Sequence, residues 1–175
     1  MPQWATPNLV AYTNRRWFVS TWLTTGVRPL TSPPLYVATL NLTKLKAPIV
    51  YIRLHGMRGQ PFLYGDRWVT ALSGEGVKNA DFAGCVIFLE GCFGDLMADA
   101  FLIAGAKAVV GNAEATLGHR WLLGPAEIVG RAWLRGMREQ LTVNEALRMA
   151  RLEVKPPFDK AWFIKGEGNE VIQWT

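Results

Sequence analysis

This chain predicts an α/β fold, a three-layer α/β/α sandwich in which helices cover both faces of a mostly parallel sheet. Three observations predict it. Pro48–Leu54 and Cys85–Leu89 are near-continuous apolar runs, the pattern of strands covered on both faces. Helical periodicity follows, as in Leu96–Ala104, where Met97, Ala100, Phe101 and Ala104 share one face. Strands then alternate with helices from Pro48 onward, an order satisfied by parallel pairing through crossover helices. With 175 residues and no internal repeat, a single domain over 1–175 is expected, a β-rich part at 1–47 and a core at 48–175.

The elements follow in order. Asn8–Thr13 and Arg16–Leu23 read as strands around a turn at Thr13-Asn14-Arg15. Thr31–Pro34 reads as a loop, Leu35–Leu40 as a strand and Asn41–Ala47 as a short connection. Pro61–Leu72 suits a hairpin of Phe62–Tyr64 with Trp68–Thr70, turning at Gly65-Asp66. Ser73–Phe82 carries glycine and polar residues, as a loop or weak helix would. Gly105 closes the helix that starts near Leu96, and Lys107–Val110 is a further strand. A long loop at Asn112–Gly124 leads to Pro125 at a first helical position, followed by an apolar stripe of Ile128, Val129, Ala132 and Trp133. Thr142-Val143-Asn144-Glu145 forms a capping box for a helix to about Glu153, and Pro156-Pro157 blocks its continuation. Ala161–Ile164 and Val171–Trp174 read as closing strands around Gly166–Asn169.

Half the residues are hydrophobic and 19% are charged, which fits a chain with a substantial core and not a disordered one. The apolar runs are too short to span a bilayer, and the first residues lack the layout of a secretory signal, so a cytoplasmic location is expected. The net charge of +5 permits contact with nucleic acid, but the basic residues are scattered or fall on helices around Arg131–Arg151 as a solvated face would. Two cysteines seven residues apart, one within a strand and one at its end, do not suit a disulfide, and no Cys/His spacing suggests a metal.

The chemistry concentrates at two strand ends. The run at Cys85–Leu89 continues through Glu90-Gly91 to Cys92, just ahead of a helix, and Pro48–Leu54 ends in His55-Gly56. The crevice outside the carboxyl ends of parallel strands is where open α/β sheets bind ligands, and a helix amino end favours a thiolate. His55 and Cys92 are therefore a candidate catalytic pair: the imidazole takes the thiol proton and later protonates a leaving amine, while Cys92 attacks a carbonyl. Backbone N–H groups of Gly56 and Cys92 would receive the oxyanion. Cys85, inside the strand, reads as structural. By strand alternation Glu90 faces the same side as Cys92, and it has two readings: an internal partner such as Arg53, or a pocket that recognises Arg or Lys in a substrate. Gly91 and Asn112 join it as candidate substrate-binding residues.

These residues resemble the caspase-like cysteine peptidase superfamily of caspases, metacaspases, separases, gingipains and CHAT domains. Leu54-His55-Gly56 resembles its strand-end His-Gly, and Glu90-Gly91-Cys92-Phe93-Gly94 is similar to the caspase Gln-Ala-Cys-x-Gly and the metacaspase Asp-x-Cys. Ala98–Gly111 resembles the helix and strand after the nucleophile, Leu141–Arg151 the late helix, and Phe163–Gly168 the closing strand, with Gly166-Glu167-Gly168 where gingipains have Gly-Asp-Pro. The resemblance spans about Pro48–Val171 and implies a caspase-like fold, a His55/Cys92 dyad and an acidic pocket group at Glu90. Cleavage after Arg or Lys is implied too, although Glu90 replaces the usual Asp or Gln. No cofactor or metal is implied; the expected partners are a peptide or protein substrate and a homodimeric or regulatory protein partner, with neither a membrane nor nucleic acid.

Other readings of the same residues remain. One is a catalytically inactive interaction module on this scaffold, one a thiol hydrolase of small amides or esters, and one a nucleic-acid-binding protein. His119, in the long loop, is the competing histidine, and Asp95, Asp99 and Asn112 could cap a helix or orient the site.

Overall fold

Strands with large apolar residues on both faces must lie at the centre of a sheet, and β3 (Ile49–Arg53) and β7 (Val86–Leu89) do. The computed structural model describes residues 8–115, 123–156, 158 and 160–173. Its main sheet has the order β2-β1-β3-β7-β8-β9, with β1 at Leu9–Asn14, β2 at Leu30–Ser32, β8 at Ala108–Asn112 and β9 at Trp162–Gly166. Every neighbouring pair is parallel except β8 with β9. A second, antiparallel sheet holds β4 (His55–Gly56), β5 (Phe62–Tyr64) and β6 (Thr70–Ser73).

Helices cover both faces. Val50, Ile52, Ile87 and Leu89 point to one side, where they pack with α2 (Gly74–Lys78) and with Met97 and Phe101 of α3 (Asp95–Ile103). Ile49, Tyr51, Val86 and Phe88 point to the other, under α4 (Pro125–Arg138) and α5 (Val143–Arg151). Phe88 anchors that layer, with the Tyr51, Trp133 and Trp162 rings at 5.1, 4.9 and 5.2 Å. The Thr142–Glu145 capping box is present, and Pro125 starts α4. The three-layer α/β/α fold is thus the one expected.

Several local expectations are corrected. Arg16–Leu23 is not a strand: after a 3₁₀ turn at Arg15–Trp17 it forms the helix α1 (Phe18–Thr25), which packs beside α4. Its aromatic and β-branched residues imitate a strand, but hydroxyls turn inward, Thr21 onto Thr13 at 2.9 Å. The loop expected at Thr31–Pro34 contains most of β2, the edge strand. Leu35–Leu40 is a turn, held by Leu40 N–H donating to the Tyr36 carbonyl and Tyr36 N–H donating to Thr39 Oγ1. The second hairpin strand starts at Thr70, because Asp66–Trp68 is a 3₁₀ turn with Arg67 and Trp68 left-handed at φ 57° and 60°. Val171–Gln173 forms no strand; Trp174 lies outside the described residues. Among the described residues no helix is long and apolar enough to cross a membrane.

Candidate active site

The adjacent strands β3 and β7 run parallel in the register Ile52↔Leu89, so their carboxyl ends finish side by side. One more residue of pairing follows, Glu90 N–H donating to the Ile52 carbonyl at 2.8 Å. Beyond it the first chain crosses into the small sheet at His55, and the second turns toward α3 at Cys92. The two segments touch through glycines. A Cβ added to Gly91 would lie 2.8 Å from the Leu54 carbonyl oxygen, and one added to Gly56 only 1.8 Å from that of Cys92. Only glycine lets backbones approach this closely. His55, Gly56, Gly91 and Cys92 therefore share one rim, at the carboxyl edge of the sheet.

Cys92 is partly exposed, whereas Cys85 is buried in the core and its thiol pKa is raised chiefly by that burial. The turn after Cys92 is pinned from below: Phe93 and Gly94 donate their N–H groups to the carbonyls of Glu114 (3.2 Å) and Asn112 (2.8 Å). The His55 ring lies between two tryptophans, Trp17 at 4.5 Å and Trp68 at 4.8 Å, the latter stacked at 25°. An ion pair of Arg16 with Asp66 at 2.5 Å joins the segments that carry them. Burial holds the His55 pKa below the ordinary 6.5, with Arg16 adding to the effect and Asp66 opposing it. A lowered pKa favours the neutral imidazole, the form able to accept a proton.

Beneath the rim lies a buried charge network. Arg53, 1% exposed, donates from Nε to Glu90 Oε1 at 2.9 Å and from its terminal nitrogens to Glu127 of α4 and Ser20 of α1. Tyr51 donates its hydroxyl to the other Glu90 oxygen, and the Arg53 guanidinium lies 4.8 Å from the Trp17 ring centroid. Glu127 also caps α4, accepting from Gly124 N–H at 3.0 Å. Burial raises Glu90 from the usual 4.5 to about 7 despite Arg53, with the Glu127 carboxylate adding to the rise.

Two expected substrate-binding side chains are enclosed in this geometry. Glu90 is 3% exposed and faces Arg53 and Tyr51, so of its two readings the internal partner is the one the structure holds. Asn112 is equally enclosed, its Oδ1 accepting from Glu114 N–H at 2.8 Å. Gly91 is buried against Leu54. Asp99 is exposed and pairs with Lys165 at 2.6 Å, while Asp95 is the first residue of α3. His119 lies outside the described residues. Trp17 and Trp68 were not anticipated as neighbours of His55; the one signal for Trp68 was its position just after the Gly65-Asp66 turn. No group of three or more potential metal ligands occurs among the described residues.

No protein-family model matches the chain, and no curated protein matches it in sequence. Solved structures do resemble it. The Arg-specific cysteine proteinase gingipain R aligns with a TM-score of 0.68 and 12% identity over 94% of this chain and 47% of its own. Separase of Saccharomyces cerevisiae, in complex with securin, aligns with a TM-score of 0.65 and 15% identity over 94% of this chain and 12% of its own. A further protease aligns with a TM-score of 0.64 and 9% identity over 98% of this chain and 49% of its own. The chain thus spans half or less of these proteins, and at these identities the likeness is one of fold.

Proposed function

We propose that this chain is a cysteine endopeptidase whose dyad is His55 and Cys92. One observation carries the reading: adjacent parallel strands end in an imidazole and a thiol, and Gly56 and Gly91 press the two strand ends together. The fold shared with gingipain R and separase supports it. Neutral His55 accepts the Cys92 proton, and the sulfur attacks the substrate carbonyl carbon. The tetrahedral oxyanion takes hydrogen bonds from the N–H groups of Gly56 and Cys92, each such donor contributing about 2.7–4 kcal/mol to the transition state. The imidazolium protonates the departing amine as the C–N bond breaks, leaving a thioester. The neutral imidazole so restored removes a proton from water, whose oxygen attacks the thioester carbon; the C–S bond breaks, the acid is released, and the thiolate recovers its proton from the imidazolium.

The substrate is a peptide carbonyl in a protein, a class supported by separase being solved with its protein partner securin. Preference for Arg or Lys loses its expected carrier, since the Glu90 carboxylate is sealed against Arg53 and Tyr51. Purified protein and its Cys92→Ala and His55→Ala variants, incubated with fluorogenic peptides carrying Arg, Lys, Asp or neutral residues before the scissile bond, test both points. Cys92→Ala should abolish turnover, and His55→Ala should lower kcat/KM by about 10²–10⁴-fold. Turnover that survives Cys92→Ala would sink the reading.

A further inference from the structure

Helix α1 is inside out. Its buried residues are Ser20, Thr21, Thr24 and Thr25, while Val19, Trp22 and Leu23 stand 36%, 43% and 56% exposed. A surface helix ordinarily turns its apolar stripe to the core. The polar inner face has an internal cause: Ser20 accepts from Arg53, Thr21 bonds to Thr13, and Arg138 donates to the Thr25 carbonyl at 2.9 Å. The apolar outer face stands exposed, and contiguous exposed apolar surface marks an interaction site.

The stripe runs into a concavity. Phe18 has its ring 6.2 Å from that of Trp22, and it lines a cavity of about 470 Å³ together with Leu30, Pro34 and Leu35 at the β2 edge. Arg15 and Arg28 line the same cavity, Arg28 lying 5.9 Å over the Phe18 ring. Among the described residues no acidic side chain lines it, and none occurs in the chain before Asp66: the first 65 residues hold seven of the nineteen Lys and Arg and none of the fourteen Asp and Glu.

We propose that the outer face of α1 and the adjoining cavity dock an acidic, amphipathic segment of a protein partner, its apolar side chains on Trp22 and Leu23 with one anchored in the cavity, and its carboxylates toward Arg15 and Arg28. Charge complementarity selects acid over base, and the cavity selects a folded or extended peptide over a lipid surface, which needs no concave anchor site. The site uses none of the residues of the His55/Cys92 pair and goes beyond the peptidase reading.

The test needs no turnover. A fluorescein-labelled helical peptide with Leu and Trp on one face and Glu on the other is titrated with protein and followed by anisotropy, beside the same peptide carrying Lys for Glu. The Glu peptide should bind saturably, and the Lys peptide about tenfold or more weaker. Trp22→Ser/Leu23→Ser should weaken the Glu peptide about tenfold or more while leaving thermal unfolding and Cys92 alkylation unchanged. Arg15→Gln should flatten the salt dependence of binding. Absence of saturable binding, equal affinity for both peptides, or an unaffected double variant would overturn the proposal. So would phosphatidylserine vesicles or a concentration-dependent dimer, each abolished by the double variant, in place of peptide binding.

Discussion

Two glycines decide whether a thiol and an imidazole can meet at this rim. At Gly56 even a methyl group would sit 1.8 Å from the Cys92 carbonyl oxygen, inside any permissible contact, and the obstacle is backbone and cannot swing away. Gly56→Ala must therefore push the two strand ends apart, and displacement of a reacting group by about 1 Å can cost on the order of 10²-fold in rate. That loss is expected in kcat/KM and in the rate of Cys92 alkylation, while far-ultraviolet circular dichroism stays unchanged; undiminished alkylation would show that the contact does not position Cys92. The two thiols differ in a complementary way. Cys85 is 2% exposed with its pKa raised by burial, and Cys92 is partly open. Iodoacetamide on the native protein should label Cys92 first, and peptide mass mapping after short exposure would detect the reverse order.

At the scale of elements, Arg53 joins four of them. From β3 it reaches Glu90 beyond β7, Glu127 in α4, Ser20 in α1 and the face of Trp17, which in turn lies against His55. Removing a buried cation strands its carboxylates, so Arg53→Met should destabilise the protein by about 3–5 kcal/mol in urea unfolding. Adding Glu90→Gln should recover part of that loss, because one stranded carboxylate is then neutral; simple additivity of the two changes would mean that the pair is not coupled. This network also marks how far the sequence could be read. The strands β3, β7 and β8 and the helices α3, α4 and α5 were legible because long apolar runs, a capping box and a Pro at the first helical position are local signals. The Arg53–Glu90 pair was legible from neighbouring strand ends. Glu127, Tyr51 and Ser20 were not, since their convergence depends on where α4 and α1 dock. Helix α1 was misread because Phe18, Val19, Trp22 and Leu23 favour strands locally, and only its tertiary seat, with hydroxyls inward, makes it helical.

For the molecule as a whole, the buried network should govern how stability follows pH. Burial raises Glu90 from 4.5 to about 7 in the folded chain. Below pH 4.5 its carboxyl is protonated both folded and unfolded, so it adds no slope. Between 4.5 and about 7 the folded chain keeps a proton that the unfolded chain has released, and stability falls as pH rises; above about 7 the loss is complete. A shift of this size corresponds to a change on the order of 3 kcal/mol. His55 acts in the opposite sense. Its pKa is depressed on folding, so its contribution is present above 6.5 and lost as pH falls below that value. The two slopes oppose each other below pH 6.5, so the wild-type curve reports neither alone. Glu90→Gln separates them: its amide oxygen can still accept from Arg53, its nitrogen can donate to the Tyr51 hydroxyl, and it does not titrate. The stability of Glu90→Gln relative to wild type should therefore improve steadily from pH 4.5 to about 7 and level off above. Urea unfolding at closely spaced pH values measures this difference, and a constant difference across the range would mean that Arg53 outweighs burial and keeps Glu90 ionised in the folded protein.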